Sequence, residues 1–279
     1  MSDILSRIVF LGGSTERVSV RMRCIQIAKA IGCDYVTDVK SLEQVPWDKT
    51  IFVCVKPNLS DGNLEDLASR GSIIWDIHDF TPPKGMVSQY IASSATAATE
   101  YELLSPVSII PHHHCNHTEI PNTAVCRRAV WIGRPYWQPD FGSLPIESYD
   151  SKHMLENEVA AIYRQTGIGI NVRAEHVGSE DNNTRFHVLL NGGGKLINCM
   201  GFGIPSISSE EPAYREHGEQ CTLFTENNDI HDLIEELSLN DTLYEELRCK
   251  SFERGRNYHI DRITPLYNKL FEQIDDSKL

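Results

Sequence analysis

The sequence predicts an α/β protein of two domains, each a sheet of parallel strands with helices packed on it. Three observations carry this. Short apolar, β-branched runs alternate with amphipathic runs of helical spacing along most of the chain, the pattern of repeated strand–helix units. The 279 residues suffice for two cores of roughly 110 to 150 residues. The stretch 191–224 passes from a glycine loop into a helix, a buried strand and a polar loop, which places ligand-binding groups at the C-terminal edge of a sheet.

Ile8 to Leu11 is a strand ended by Gly12-Gly13-Ser14, and a helix follows over about 19–31 with Val20, Cys24, Ile27, Ala28 and Ile31 on one face. This is a first βα unit, whose glycine turn either packs strand on helix or touches a ligand. There is no GxGxxG and no acid in the usual place about twenty residues on, which argues against a nicotinamide cofactor. Cys33–Val36 and Thr50–Val55 are strands, and 64–70 is a short helix.

Residues 72–80 form a strand whose end carries Asp76, His78 and Asp79. Alternation puts Asp76 and His78 on one side, an arrangement that suits proton transfer; the alternative is that the acids cap the following turn. A strand at 87–92 leads through Ser93-Ser94 to a helix over 95–104, and 107–111 is the last strand of the first domain. The tract His112-His113-His114-Cys115-Asn116-His117 follows. Neighbouring residues in an extended segment point apart, so the tract is expected to bind no metal and to present one histidine, His112 or His113, as a functional group.

Ala129–Ile132 opens the second domain as a strand and runs into Gly133-Arg134. A helix over 154–164, a strand over 168–172 and a polar loop over 173–185 come next. Asn191 and Gly192-Gly193-Gly194 then precede Lys195 and a short helix. Free N–H groups at a helix N-terminus, the helix dipole and a lysine together form an anion site, and glycine lets a ligand reach the backbone. A strand over 204–208 ends in the loop Ser208-Ser209-Glu210-Glu211, and helices over 229–237, 241–254 and 260–274 complete the chain.

Bulk properties set bounds. A formal charge of −13 argues against general nucleic-acid binding, which needs a basic surface. Eight cysteines are scattered singly, with no CxxC pair, the usage of a reducing compartment. No apolar run approaches 18 residues and the start lacks a signal pattern, so a cytoplasmic protein is expected, with a peripheral membrane contact left open.

Lys195-Leu196-Ile197-Asn198-Cys199-Met200-Gly201-Phe202-Gly203-Ile204-Pro205-Ser206-Ile207-Ser208, followed by Glu216, Gly218 and Leu223-Phe224, resembles the nucleotide-sugar half of GT-B glycosyltransferases, with their Lys-Leu-x-Glu-Ala-Met-Ala-x-Gly-x-Pro-Val-Ile helix and strand. Weaker resemblances lie at 7–31, 71–80 and 129–134. The resemblance implies two Rossmann-like domains facing a cleft: an acceptor-side domain over 1–115, a nucleotide-sugar domain over 116–257, and a helix over 258–279 crossing back to the first. It implies a metal-independent transferase with no resident cofactor, moving sugar from a nucleotide-sugar to a glycan, lipid-linked or small-molecule hydroxyl. A nucleotide-sugar epimerase and a non-catalytic sugar- or partner-binding module remain alternatives.

The site residues it implies are as follows. Gly12, Gly13, Arg134, Gly193, Gly194, Lys195, Asn198, Ser208, Ser209 and Glu210 face the donor, with Arg134 on its phosphate. Arg21, Arg23 and His112 face the acceptor, Arg21 and Arg23 lying in Ser19-Val20-Arg21-Met22-Arg23, which resembles a Ser-x-Arg-x-Arg helix entry. Asp76, His78 and Asp79 supply the base. Retaining members carry glutamates where this chain has Asn198 and Leu190; neither acid is here, and inverting transfer is as open as retaining.

Overall fold

The computed structural model describes residues 7–37, 49–77, 85–99, 106–122, 126–174, 188–226 and 229–274, with Leu5 and Tyr101 besides. The chain divides into two compact units. The first comprises Met1–His112, Leu190–Gly192 and Ile260–Leu279, and the second His113–Leu189 and Gly193–His259.

The first unit is a six-stranded sheet of β1 (Ile8–Gly12), β2 (Asp34–Val36), β3 (Thr50–Val55), β4 (Gly71–Ile77), β5 (Gln89–Ala92) and β6 (Val107–Ile109). Their order is β2-β1-β3-β4-β5-β6, and every pairing is parallel. Alternate residues feed two cores, one on each face. Val9, Leu11, Phe52, Ile73 and Trp75 enter one with Leu64 and Leu67 of α2 (Asp61–Arg70). Ile8, Phe10, Ile51, Val53 and Ile74 enter the other with Val20, Cys24 and Ile27.

Two features differ from the expected helices. The segment after the glycine turn is π-helical over Val20–Gln26 before it becomes α1 (Ile27–Ile31). Helix α2 begins earlier than its apolar residues suggest, because Ser60 caps it: its hydroxyl accepts from Asn63 N while the Asn63 side chain accepts from Ser60 N. A short α3 (Ala95–Thr99) follows β5. The last helix, α9 (Ile260–Glu272), buries Ile263, Tyr267, Leu270 and Phe271 in the first unit's core. The Tyr267 and Phe271 rings lie 5.9 and 6.4 Å from that of Phe10.

The second unit holds β7 (Ala129–Gly133), β8 (Ile146–Asp150), β9 (Ile168–Asn171), β10 (Ser206–Ser209) and β11 (Thr222–Thr225) in the order β11-β10-β9-β7-β8, again all parallel. Ala129, Trp131, Ile168, Ile170 and Ile207 face α7 (Ile230–Leu239) and α8 (Asp241–Gly255). Val130 and Ile132 face α4 (Glu156–Gln165) and α5 (Gly194–Phe202). Strand β8 and helix α6 (Pro212–Gly218) lie in stretches to which the sequence reading assigns no element. Among the described residues, no helix is long and apolar enough to cross a membrane.

Candidate functional site

In the second sheet the strand order reverses at β7: β8 lies on one side and β9 on the other. Ligands of open α/β sheets bind outside the strand ends at such a point. Four segments meet that description: Gly133-Arg134 after β7, Val172-Arg173 after β9, Ser209 to Glu211 at the end of β10, and the N-terminus of α5. Gly193, the residue before α5, has φ of +67° and no side-chain cap, a left-handed turn that glycine adopts without strain. The first-turn N–H groups therefore point out of the helix with no side chain covering them from its cap.

Lys195 sits in this first turn, partly buried. Its Nζ stands 4.5 Å from the centroid of the Trp131 ring, and Trp131 is fixed by donating from Nε1 to the Val172 carbonyl at 3.0 Å. A Cβ on Gly133 would lie 2.6 Å from the Trp131 ring and 2.8 Å from Lys195 Nζ, so glycine there leaves room for the fixed indole and keeps the ammonium beside it. Burial, and then the nearby Arg173 cation, push the Lys195 ammonium down to about 7, against the pull of Glu211. Such a site favours a ligand that brings negative charge.

Arg173 and Glu211 are the residues the sequence reading missed. Arg173 Nε stands 2.8 Å from Glu211 Oε1 with both side chains mostly buried, and its guanidinium lies 5.3 Å from the Trp137 ring centroid. Ser209 Oγ donates to the same carboxylate oxygen at 3.0 Å. Arg134 is half-buried. Its neighbour on the other side begins the 3-10 turn Pro135–Trp137.

Other expected donor groups are engaged elsewhere. Asn198 Oδ1 accepts from Cys115 N at 2.8 Å, so the position where retaining enzymes keep an acid anchors backbone here, and Leu190 is a core residue of the first unit. Ser208 is buried, its hydroxyl 3.1 Å from Thr222 Oγ1 and 3.3 Å from Asn171 Nδ2. Glu210 pairs with Arg215; Glu211, one residue on, is the buried acid.

In the first unit, the expected acceptor and base residues bind each other. Arg23 donates from Nε to Asp76 Oδ2 at 2.6 Å, with the two side chains 1% and 0% exposed. Burial pushes the Asp76 carboxyl up against the pull of Arg23. Neither group meets solvent: Asp76 is engaged by Arg23, and Arg23 by Asp76 and the Ile110 carbonyl. Arg21 donates to the Thr15 carbonyl at 2.6 Å. A Cβ on Gly12 would meet Val20 Cγ1 at 2.6 Å, and one on Gly13 the Lys56 carbonyl oxygen at 2.4 Å, so this turn packs tightly on its own unit. His78 and Asp79 lie outside the described residues.

The histidines of the 112–117 tract diverge. His112 packs on Gly192, His114 packs on Gly201 with its ring 5.5 Å from that of His259, and His117 pairs with Glu156. Among the described residues no group of three His, Cys, Asp or Glu converges as a metal site.

Neither a protein-family model nor a curated protein matches the sequence. Solved structures do match the fold. Anabaena HepE in complex with UDP and glucose superposes with a TM-score of 0.61 at 11% identity, covering 96% of this chain and 100% of that one. A glycosyltransferase from Rickettsia africae gives 0.58 at 9% identity over 96% and 98%. The pneumococcal O-GlcNAc transferase GtfA, in complex with UDP and GlcNAc, gives 0.56 at 12%; this chain covers 59% of its length with 84% of its own. Two parallel-sheet units and this likeness over nearly the whole chain give the protein the GT-B fold, as the resemblance at 195–224 implies.

Proposed function

We propose that the protein is a glycosyltransferase that moves a sugar from a nucleotide-activated donor to a hydroxyl of a glycan, lipid-linked or small-molecule acceptor. The observation that carries this is the placement of Lys195: in the first turn of α5, against Trp131 and Gly133, at the switch point of the second sheet. The α5 N-terminus, Lys195 and Arg134 take the donor's diphosphate and stabilise its charge as the sugar leaves, the role that preorganised cations and dipoles fill at a leaving phosphate. Ser209 and the glycines at 193 and 194 border the same groups. UDP-sugars are the first donors to try, since HepE and GtfA were crystallised with UDP.

The acceptor is assigned to the first unit. Its hydroxyl loses a proton to a base there, drawn from His78, Asp79 and His112, because Asp76 is committed to Arg23. With Asn198 and Leu190 in place of the retaining glutamates, direct inverting displacement is as open as retaining transfer. A metal is not required in this scheme because protein cations meet the diphosphate.

Nucleotide release from a panel of nucleotide-sugars, measured with and without acceptors and with excess EDTA, tests the reading. A transferase releases nucleotide only with acceptor and keeps its rate in EDTA. Release without acceptor shows hydrolysis of the donor, conversion of the nucleotide-sugar into its epimer with no nucleotide released identifies an epimerase, and neither change with any combination identifies a binding module.

A further inference from the structure

Arg23 lies in the π-helical turn of the first unit and is almost wholly enclosed. π-helical turns are rare and cluster at functional sites. Its guanidinium reaches two strand ends at once. Nε donates to Asp76 of β4 at 2.6 Å and Nη1 donates to the carbonyl of Ile110, the residue after β6, at 3.1 Å. Strand β5 lies between these two strands, so one side chain spans three strands at the C-terminal edge of the sheet. Tyr267 of α9 adds a fourth element, close enough to act on the charge of Arg23.

The Ile110 carbonyl is two residues before His112. Pro111 between them has a fixed φ, which removes one of the backbone rotations between that carbonyl and the histidine. The His112 ring is seated closely. A Cβ on Gly192 would be 2.3 Å from its Cδ2 and 2.5 Å from its Nε2, and the hydroxyl of Ser93, at the end of β5, would be 3.1 Å from the same point. A small turn of the chain at Ile110 would carry the imidazole off this seat.

We propose that Arg23 is a positioning residue for proton transfer: by joining the end of β4 to the exit of β6 it sets the His112 imidazole on Gly192 beside Ser93. The catalytic half of this rests on the transferase reading above; the geometric half does not. Lysine keeps the charge beside Asp76 and lacks the planar fork that serves two acceptors in fixed directions, which makes Arg23→Lys the informative variant.

The experiment uses the full chain labelled at histidine, with the His112 imidazole signal assigned by its loss in His112→Gln. Three quantities are read in wild type and Arg23→Lys: the His112 chemical shift and titration midpoint, calorimetric UDP affinity, and single-turnover transfer. In folded Arg23→Lys the His112 signal and midpoint move and transfer falls at least tenfold, while UDP affinity stays within twofold. An unmoved His112 signal in folded Arg23→Lys overturns the proposal, and so does a moved signal with wild-type transfer. A lysine variant that does not fold assigns Arg23 a purely structural role, which also overturns it. If wild-type protein transfers no sugar, the transferase reading fails and positioning for catalysis fails with it, while the His112 signal still decides the geometric half.

Discussion

Lys195 Nζ lies 4.5 Å from the Trp131 ring centroid and 2.8 Å from the point where a Cβ on Gly133 would stand. The lysine is thus held by the end of β7 as well as by its own helix, and its loss should weaken nucleotide binding without unfolding the unit. A charge-assisted hydrogen bond contributes about 1.5 to 3 kcal/mol, so Lys195→Ala and Arg134→Ala should each lower UDP affinity by one to two orders of magnitude in calorimetry. Gly133→Ala should lower it as well, with overpacking costing about 1 to 3 kcal/mol of stability. Unchanged affinity in both charge variants would remove the diphosphate from this cradle.

The same lysine gives the binding a pH dependence. Burial and Arg173 bring its pKa down to about 7, so free protein above that pH holds Lys195 neutral, while a bound diphosphate requires it charged. Binding then takes up a proton, and affinity should fall above pH 7 with a limiting slope of about tenfold per pH unit. Calorimetry between pH 6.5 and 9, in buffers of different ionisation enthalpy, should record that uptake. Lys195→Met should abolish it. Stability carries the opposite sign from a raised lysine: between about 7 and 10.5 the unfolded chain binds the proton that the folded one lacks, so this group's contribution rises with pH.

The sheet and the cradle were legible to different degrees. Strands β1, β3, β4, β7 and β9 are buried apolar runs, and periodicity finds them directly. Strand β8 reads Ile-Glu-Ser-Tyr-Asp and lies at the edge of its sheet, mostly exposed, so no apolar face marks it. The glycine loop before Lys195 announces an anion site because its chemistry is local in sequence. The Arg173 and Glu211 pair is not local. It joins residues after β9 to residues after β10, and only the strand order brings them together. The same holds for Arg23 and Asp76, where each residue type suggested a ligand contact and each became the other's partner. Helix α6 carries a signal that was passed over, a proline at its first turn.

That buried pair makes Asp76 a stability determinant. Removing one member of an enclosed ion pair strands the other charge and costs about 3 to 5 kcal/mol. Asp76→Asn should therefore lower the melting temperature markedly, with UDP affinity per folded molecule unchanged because the cradle belongs to the second unit. A soluble, fully stable Asp76→Asn protein with a large loss of rate would instead restore Asp76 as a base.

His114 should make the second unit acid-sensitive. Burial, then the neighbouring His259 and His117, lower its pKa to about 4, against about 6.5 in an unfolded chain. Between those values the unfolded state binds the proton and the folded state does not, so stability falls as pH drops from 6.5 towards 4. Urea titrations at pH 7 and pH 4.5 should show the wild type losing stability, and His114→Asn, though weaker at pH 7, losing less between the two. An equal loss in both proteins would place the acid sensitivity elsewhere.

The proton acceptor is the remaining assignment, and stability and rate separate its candidates. Removing a general base costs about a hundredfold to ten-thousandfold in rate, while donor binding, which belongs to the other unit, should persist. Single-turnover transfer and UDP affinity are to be compared in His78→Ala, Asp79→Asn and His112→Gln, each with its melting temperature. One variant that retains fold and UDP affinity and loses at least a hundredfold in transfer identifies the base. That loss should ease as pH rises if solvent hydroxide can replace the missing group. Near wild-type transfer in all three would exclude these candidates and leave the acceptor hydroxyl to be deprotonated by another group.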